Sequence, residues 1–73
     1  MRKLNELKIN ECSKVVQIVA DLKLKRRLLE LGLVQNEEIK ILSISPLKNT
    51  FLVEIMNYSL AIRKDVAEKI LVV

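Results

Sequence analysis

The sequence predicts a mainly β fold: a small barrel of about five strands, with one short α-helix after the first strand and a short helical turn before the last. β-Branched or alternating runs recur along the chain, and the one segment with helical periodicity lies between the first two of them. Short strands at this spacing are typical of small barrels. The predicted strands are residues 13–20, 37–45, 51–56, 59–62 and 70–73. A chain of 73 residues is expected to form one domain, residues 1–73.

The predicted helix carries its own stop signal. Leu24, Leu28 and Leu31 recur at i, i+4 and i+7, so they share one helix face that can pack on a core. Gly32, the only glycine, follows directly, where a helix that ends in the left-handed conformation favours a residue without Cβ. Leu33 then falls at the C″ position and can fold back onto Leu28, as in a Schellman cap.

The positive charge is concentrated on this helix. The chain has 13 basic and 9 acidic side chains, hence a net charge of +4. The four basic residues from Lys23 to Arg27 account for the whole excess, since 13 − 4 leaves 9 against 9. These basic residues lie in the N-terminal half of the helix, and Glu30 lies in its last turn. The helix dipole favours the opposite order, with acidic residues near the N-terminus and basic residues near the C-terminus. Both a solvated face whose charges pair elsewhere in the fold and a functional basic surface fit this pattern.

Turn residues divide the remaining chain. Asn10, Asn36 and Asn57 fall between apolar runs, where asparagine tolerates positive φ better than most residues. The turn before the fourth predicted strand is expected at Asn57–Tyr58. The segment Leu4–Leu7 is expected to plug an apolar end of the core as a helical turn or loop. Residues 65–68 resemble a capping box, which predicts the helical turn before the last strand.

Residues for catalysis or metal binding are scarce. The chain has no histidine, and Cys12 is its only cysteine. The usual proton shuttle near neutral pH is therefore missing, and so are the ligand sets typical of zinc and iron sites. No glycine-rich phosphate loop is present. We expect no enzymatic activity, no metal site and no cofactor, with Cys12 as a buried or half-buried small residue.

The composition favours a cytoplasmic location. A single cysteine forms no intramolecular disulfide, which suits a reducing compartment. The longest uninterrupted apolar run is the segment Ile70–Val73, far below the roughly 20 residues of a membrane-spanning helix. We expect no membrane insertion and no signal peptide. Because 51% of the residues are hydrophobic, some apolar surface should stay exposed, as a partner site or a homo-oligomer interface.

Nucleic-acid binding is not expected. Small barrels that bind nucleic acids usually stack bases on aromatic side chains. Phe51 and Tyr58 are the only aromatic residues here, and Phe51 lies in an alternating strand where a core position is expected. Binding to another protein is the class that remains.

The chain resembles the family of ferrous iron transport protein A (FeoA). Residues 27–33, Arg-Leu-Leu-Glu-Leu-Gly-Leu, resemble its R-L-x-x-L-G-L signature. Residues 4–7 resemble the opening L-x-x-L, residues 45–47 the proline loop, and residues 60–63 and 67–72 the closing motifs. Family members usually have glycine where this chain has Asn10, Asn36 and Asn57.

The resemblance implies an SH3-like barrel fold. It also implies that the protein is a non-enzymatic cytosolic accessory of bacterial ferrous iron uptake, which acts with the membrane GTPase iron permease called ferrous iron transport protein B. Similar domains end metal-dependent repressors, but 73 residues leave no room for a DNA-binding domain, so a free-standing domain is expected. The alternatives are a small nucleic-acid-binding module and a stand-alone relative of that repressor domain. The candidate polar contacts to the permease are Lys25, Arg26, Arg27 and Glu30. The candidate apolar contacts are Leu29 and Leu33. The residues expected to have a structural role are Leu24, Leu28, Leu31 and Gly32.

Overall fold

A computed structural model describes all residues of the chain, Met1–Val73. It contains six β-strands, two α-helices and one 3-10 helix. In chain order the elements are β1 Arg2–Lys3, the 3-10 helix Leu4–Glu6, β2 Cys12–Ile18, α1 Leu22–Glu30, β3 Glu38–Ile44, β4 Thr50–Ile55, β5 Tyr58–Arg63, α2 Lys64–Ala67 and β6 Ile70–Val72. The fold is mainly β, as predicted, with α1 after the first long strand and α2 before the last strand.

The six strands form one antiparallel sheet in the order β1-β6-β2-β3-β4-β5. The register shifts once in β2, between Val15 and Gln17, and once in β3, between Ile41 and Ser43. Such irregularities bend a strand and increase its twist, which lets a small sheet wrap around a core. β5 pairs only with β4, so its other edge has no strand beside it.

The core consists of fifteen buried side chains, all of them apolar. Alternation along the strands supplies most of them, as in β4, where Phe51, Val53 and Ile55 are buried. Leu4 and Leu7, at either end of the 3-10 segment, close the core as predicted. The other buried residues are Val15, Ile18, Leu28, Leu33, Ile39, Ile41, Ile62, Ala67, Ile70 and Val72.

The structure has one strand more than predicted. β1 is held by backbone pairing, with Arg2 opposite Val72 and Lys3 opposite Leu71. Both of its side chains are exposed, so the strand has no apolar alternation that a sequence pattern could reveal.

Two of the three predicted asparagine turns are confirmed. Asn10 has φ +70° and Asn36 has φ +72°. The prediction for Asn57 is wrong by one residue: the two-residue turn between β4 and β5 is Met56–Asn57, and Met56 takes the positive φ, +53°. Primed hairpin turns place positive φ at their first central residue, and the pairing of Ile55 with Tyr58 makes Met56 that residue.

The predicted capping box before α2 is also wrong. The N-cap of α2 is Arg63, and no side chain caps it. Asp65 lies inside the first turn, where its Oδ1 accepts the backbone N–H of Val66 at 3.0 Å. Glu68 is the C-cap residue, so its side chain is not at the N3 position that a capping box requires. Neither α1 nor α2 is long and apolar enough to cross a membrane.

Candidate functional site

Helix α1 begins at an aspartate cap that the sequence analysis did not identify. The N-cap is Asp21, whose Oδ1 accepts the backbone N–H of Leu24 at 2.8 Å. This carboxylate lies at the positive end of the helix dipole, close to the basic first turn. It therefore offsets part of the unfavourable charge order. An aspartate three residues before Leu24, the first periodic leucine, was the available signal.

The C-terminal end of α1 has the predicted Schellman geometry. The N–H of Gly32 donates to the carbonyl of Leu29 at 3.0 Å, and the N–H of Leu33 donates to the carbonyl of Leu28 at 3.0 Å. Gly32 has φ +100°, which residues with a Cβ rarely adopt. The helix thus ends at the residue that the sequence indicated.

The apolar face of α1 packs on the core through three leucines. Leu28 is buried, and Leu24 and Leu31 are half-buried against the core. Leu33, predicted as a possible partner contact, is 0% exposed, and that prediction is wrong. The cap turns the chain inward at the C″ position, so Leu33 joins the core. Leu29 remains 42% exposed on the outer side of the helix.

The four basic residues of α1 have no ion-pair partner within the chain. The only salt bridge in the chain joins Arg2 to Glu11, and both residues precede α1 in the sequence. Arg26 and Glu30 are four residues apart and both exposed, but they form no ion pair. We call the exposed residues Lys23, Lys25, Arg26 and Arg27 the cation cluster. Its charge is not neutralised inside the fold and is available to an acidic partner.

A groove runs on each side of α1. The β5 groove, of about 310 Å³, lies between α1 and β5–α2 and is lined by Leu24, Arg27, Leu28, Leu31, Leu60, Ala61, Ile62, Arg63 and Val66. The β2 groove, of about 220 Å³, lies between α1 and β2 and includes Lys25 and Leu29. The predicted contact residues are therefore divided between the grooves. Arg27 lines the β5 groove, whereas Lys25, Leu29 and the buried Leu33 line the β2 groove. Arg26 and Glu30 line neither.

The β5 groove contains residues that the sequence analysis did not propose as contacts. Leu60, Arg63 and Val66 lie more than 25 positions beyond α1, and only the tertiary fold brings them beside it. Their local pattern resembles that of any edge strand and short helix. No sequence signal could have assigned them to the same site as α1.

Cys12 lies elsewhere, on the exposed face of β2. The prediction that it is buried or half-buried is wrong. It is paired with Lys40 across β2 and β3 and lines a polar depression with Glu38 and Glu54. The chain forms no group of three or more His, Cys, Asp or Glu side chains placed to hold a metal ion.

Glu11 is the one titratable residue with a clearly shifted pKa. The backbone N–H of Lys8 donates to its Oε1 at 2.9 Å and, together with the Arg2 guanidinium 2.6 Å from its Oε2, lowers the pKa below the usual value of 4.5. Both contacts favour the ionised carboxylate. This cluster ties the N-terminus to the loop before β2 and includes no residue of α1.

Comparisons with known proteins agree with the resemblance. The FeoA domain model matches residues 2–73. The FeoA protein of Chlorobium tepidum is 35% identical with a TM-score of 0.90, over 97% of this chain and 68% of its own. The FeoA protein of Stenotrophomonas maltophilia, solved with zinc and described as a prokaryotic SH3 domain protein, is 32% identical with a TM-score of 0.78, over 99% of this chain and 89% of its own. A search of curated proteins found no significant match.

The same fold occurs in a second class of protein. A manganese-dependent transcriptional repressor superposes with a TM-score of 0.89 at 20% identity, covering 99% of this chain and 40% of the repressor. At this identity the likeness concerns the fold alone. The family match spans nearly the whole chain, and it agrees with the SH3-like fold and with the helix signature at residues 27–33. The chain belongs to the FeoA family, which is implicated in ferrous iron transport and is not a known enzyme family.

Proposed function

We propose that this chain, acting as one domain of residues 1–73, is a non-enzymatic cytosolic accessory of ferrous iron uptake that binds the cytosolic part of the membrane GTPase iron permease. Family membership supports the link to iron transport. The relative from Stenotrophomonas maltophilia is described as a possible activating factor of ferrous iron transport. The cation cluster is the observation that supports binding to another protein.

The cation cluster is suited to an acidic protein surface. Its residues occupy a little more than one turn of α1, are exposed, and pair with no carboxylate of the chain. A local concentration of charge speeds association with an oppositely charged surface. Lys25 and Arg26 are the proposed polar contacts on the outer side, with Glu30 beside them and Leu29 as the adjacent apolar contact. Arg27 extends the same surface towards β5.

A capture experiment with a matched control tests this proposal. The tagged chain is used to capture proteins from detergent-solubilised cells that make the permease. We expect recovery of the permease with the unmodified chain and with Lys69→Glu, and strongly reduced recovery with Arg26→Glu. Both variants change the net charge by the same amount at exposed positions, so a difference between them reflects where the charge lies.

Two results would contradict the proposal. One is recovery of ribosomes or nucleic acid without the permease, because that would favour a nucleic-acid-binding module, whose binding should weaken steeply with salt. The other is equal recovery of the permease with Arg26→Glu, because the cation cluster would then not contribute to the contact.

A further inference from the structure

We propose that the β5 groove binds an extended acidic segment of a partner protein, which adds a strand to the free edge of β5 beside α1. The proposal concerns the way in which a segment is held. It rests on the groove and the strand edge, and it does not depend on which protein supplies the segment.

The backbone of β5 has unused hydrogen-bonding groups. Across a two-residue hairpin turn, the residues that flank the turn form a hydrogen-bonded pair, and such pairs then alternate along the ladder. Tyr58, Leu60 and Ile62 are therefore bonded to β4, opposite Ile55, Val53 and Phe51. The N–H and C=O groups of Ser59 and Ala61 point to the other edge, where no strand pairs with them.

This edge is accessible. Ser59 and Ala61 are both exposed, and neither takes part in any hydrogen bond outside the β4–β5 ladder. An edge strand with free donors and acceptors is a ready template for another extended chain. β5 contains neither a proline nor a bulge, two of the features that commonly prevent such pairing at a sheet edge.

The groove follows the strand edge. Four consecutive residues, 60–63, line it. Successive side chains point to opposite faces of a strand, so a cavity that touches all four lies along the edge and not over one face. On its other side are Leu24, Leu28 and Leu31 of α1. A chain paired with β5 would thus place alternate side chains between the strand and an apolar helix face, a recognised mode of peptide binding.

The charges at the groove select the partner. Arg27 from α1 and Arg63 from β5 are exposed, and neither forms an ion pair in the chain. Carboxylates at positions that alternate with apolar side chains would complement these two guanidinium groups. A second copy of this chain fits less well, because it would bring the same two arginines and the same net charge of +4 to the contact.

A titration of the ¹⁵N-labelled chain, followed by NMR, tests this mode. The probe is a seven-residue peptide that alternates valine with glutamate. We expect the amide signals of Ser59, Ala61 and Arg63 to shift most. We also expect hydrogen exchange at the Ala61 amide to slow about tenfold when the free peptide concentration is ten times its Kd. At that concentration only about one protein molecule in ten is unbound, and the amide exchanges only in the unbound protein.

Two matched peptides separate the backbone contribution from the charge contribution. N-methylation of every residue removes the backbone donors on both edges of the peptide without changing its charge, and replacement of glutamate by lysine reverses the charge. We expect each change to weaken binding at least about tenfold, the loss that about 1.4 kcal/mol represents. A lysine peptide that binds as well as the glutamate peptide would overturn the choice of an acidic partner.

Two protein variants test the same contact from the other side. Ala61→Pro removes an N–H that points away from β4, so the hairpin should remain while peptide binding is lost. Arg63→Gln, compared with Arg26→Gln outside the groove, tests the charge without altering the backbone and remains informative if the proline variant does not fold.

Three outcomes would overturn the proposal. They are no change in the β5 signals up to the solubility limit of the peptide, changes confined to the β2 groove, and concentration-dependent changes at β5 in the protein alone, which would mean self-pairing. The capture experiment with Arg26→Glu tests the proposed function separately, since Arg26 does not line the β5 groove.

Discussion

Gly32 is the position at which a substitution tests the geometry of α1 most sharply. A Cβ built there would lie 3.0 Å from the hydroxyl oxygen of Tyr58 and 3.4 Å from Cε of Met56. Both neighbours are the ends of partly exposed side chains, so they can move at little cost. The larger cost comes from the backbone, because φ +100° is a conformation that residues with a Cβ rarely adopt, and β-branched residues least of all.

We expect Gly32→Asn to lose about 1 kcal/mol of unfolding free energy. Gly32→Val should lose about 2–3 kcal/mol, because a β-branched residue is strained further at positive φ. In a domain of this size each kcal/mol shifts the melting temperature by about 4–8 °C. A thermal melt followed by circular dichroism therefore resolves the two variants.

Tyr58→Phe provides the control for crowding, since it removes the oxygen atom closest to the new Cβ. If backbone strain, and not crowding by Tyr58, causes the loss of stability, Gly32→Val should lower the unfolding free energy by the same amount in the Tyr58→Phe background. Equal losses for the asparagine and valine variants, or recovery of stability in that background, would refute the argument from backbone strain.

Four further predictions concern stability. Leu33→Ala should lower the unfolding free energy by about 2–5 kcal/mol in denaturant titrations, because Leu33 is fully buried. Leu29 is 42% exposed, and an equally large loss for Leu29→Ala would contradict the distinction between the two positions. Asp21→Ala should lose about 1 kcal/mol through the missing cap, and Asp21→Asn much less; equal losses in urea melts would exclude the capping role. The hydrogen bond from the Lys8 backbone lowers the pKa of Glu11, so the ionised Glu11 carboxylate should stabilise the fold above pH 4.5, and this stabilisation should disappear as the pH falls through the lowered pKa. In thermal melts at successive pH values, Glu11→Gln should therefore lose less stability on acidification than the unmodified chain. A chelator should leave the melting temperature unchanged, and unfolding on its addition would reveal a structural metal ion.

The features of α1 that were predicted correctly depend on neighbours in sequence. The leucine spacing placed its apolar face, and a lone glycine marked its end, because both signals act within two helical turns. The β-branched runs indicated the longer strands in the same way. Asp21 was available as a signal too, although only the observed hydrogen bond assigned its role.

The features that were missed depend on tertiary contacts. β1 exists because Arg2 and Lys3 meet β6 at the other end of the chain, and two exposed residues carry no pattern. The fold-back of Leu33 was predicted from the cap, but its complete burial, which removes it as a partner contact, depends on the strands that pack around it. The β5 groove joins Leu28 to Leu60, which are 32 positions apart, so no local pattern could place them together.

The most direct test of the account measures how fast the purified cytosolic domain of the permease binds this chain at several salt concentrations. If the cation cluster makes the contact, the association rate should fall as salt rises, and Arg26→Glu should lower it about tenfold at low salt while Lys69→Glu leaves it nearly unchanged. An association rate that is independent of salt and equal for Arg26→Glu and Lys69→Glu would contradict the account.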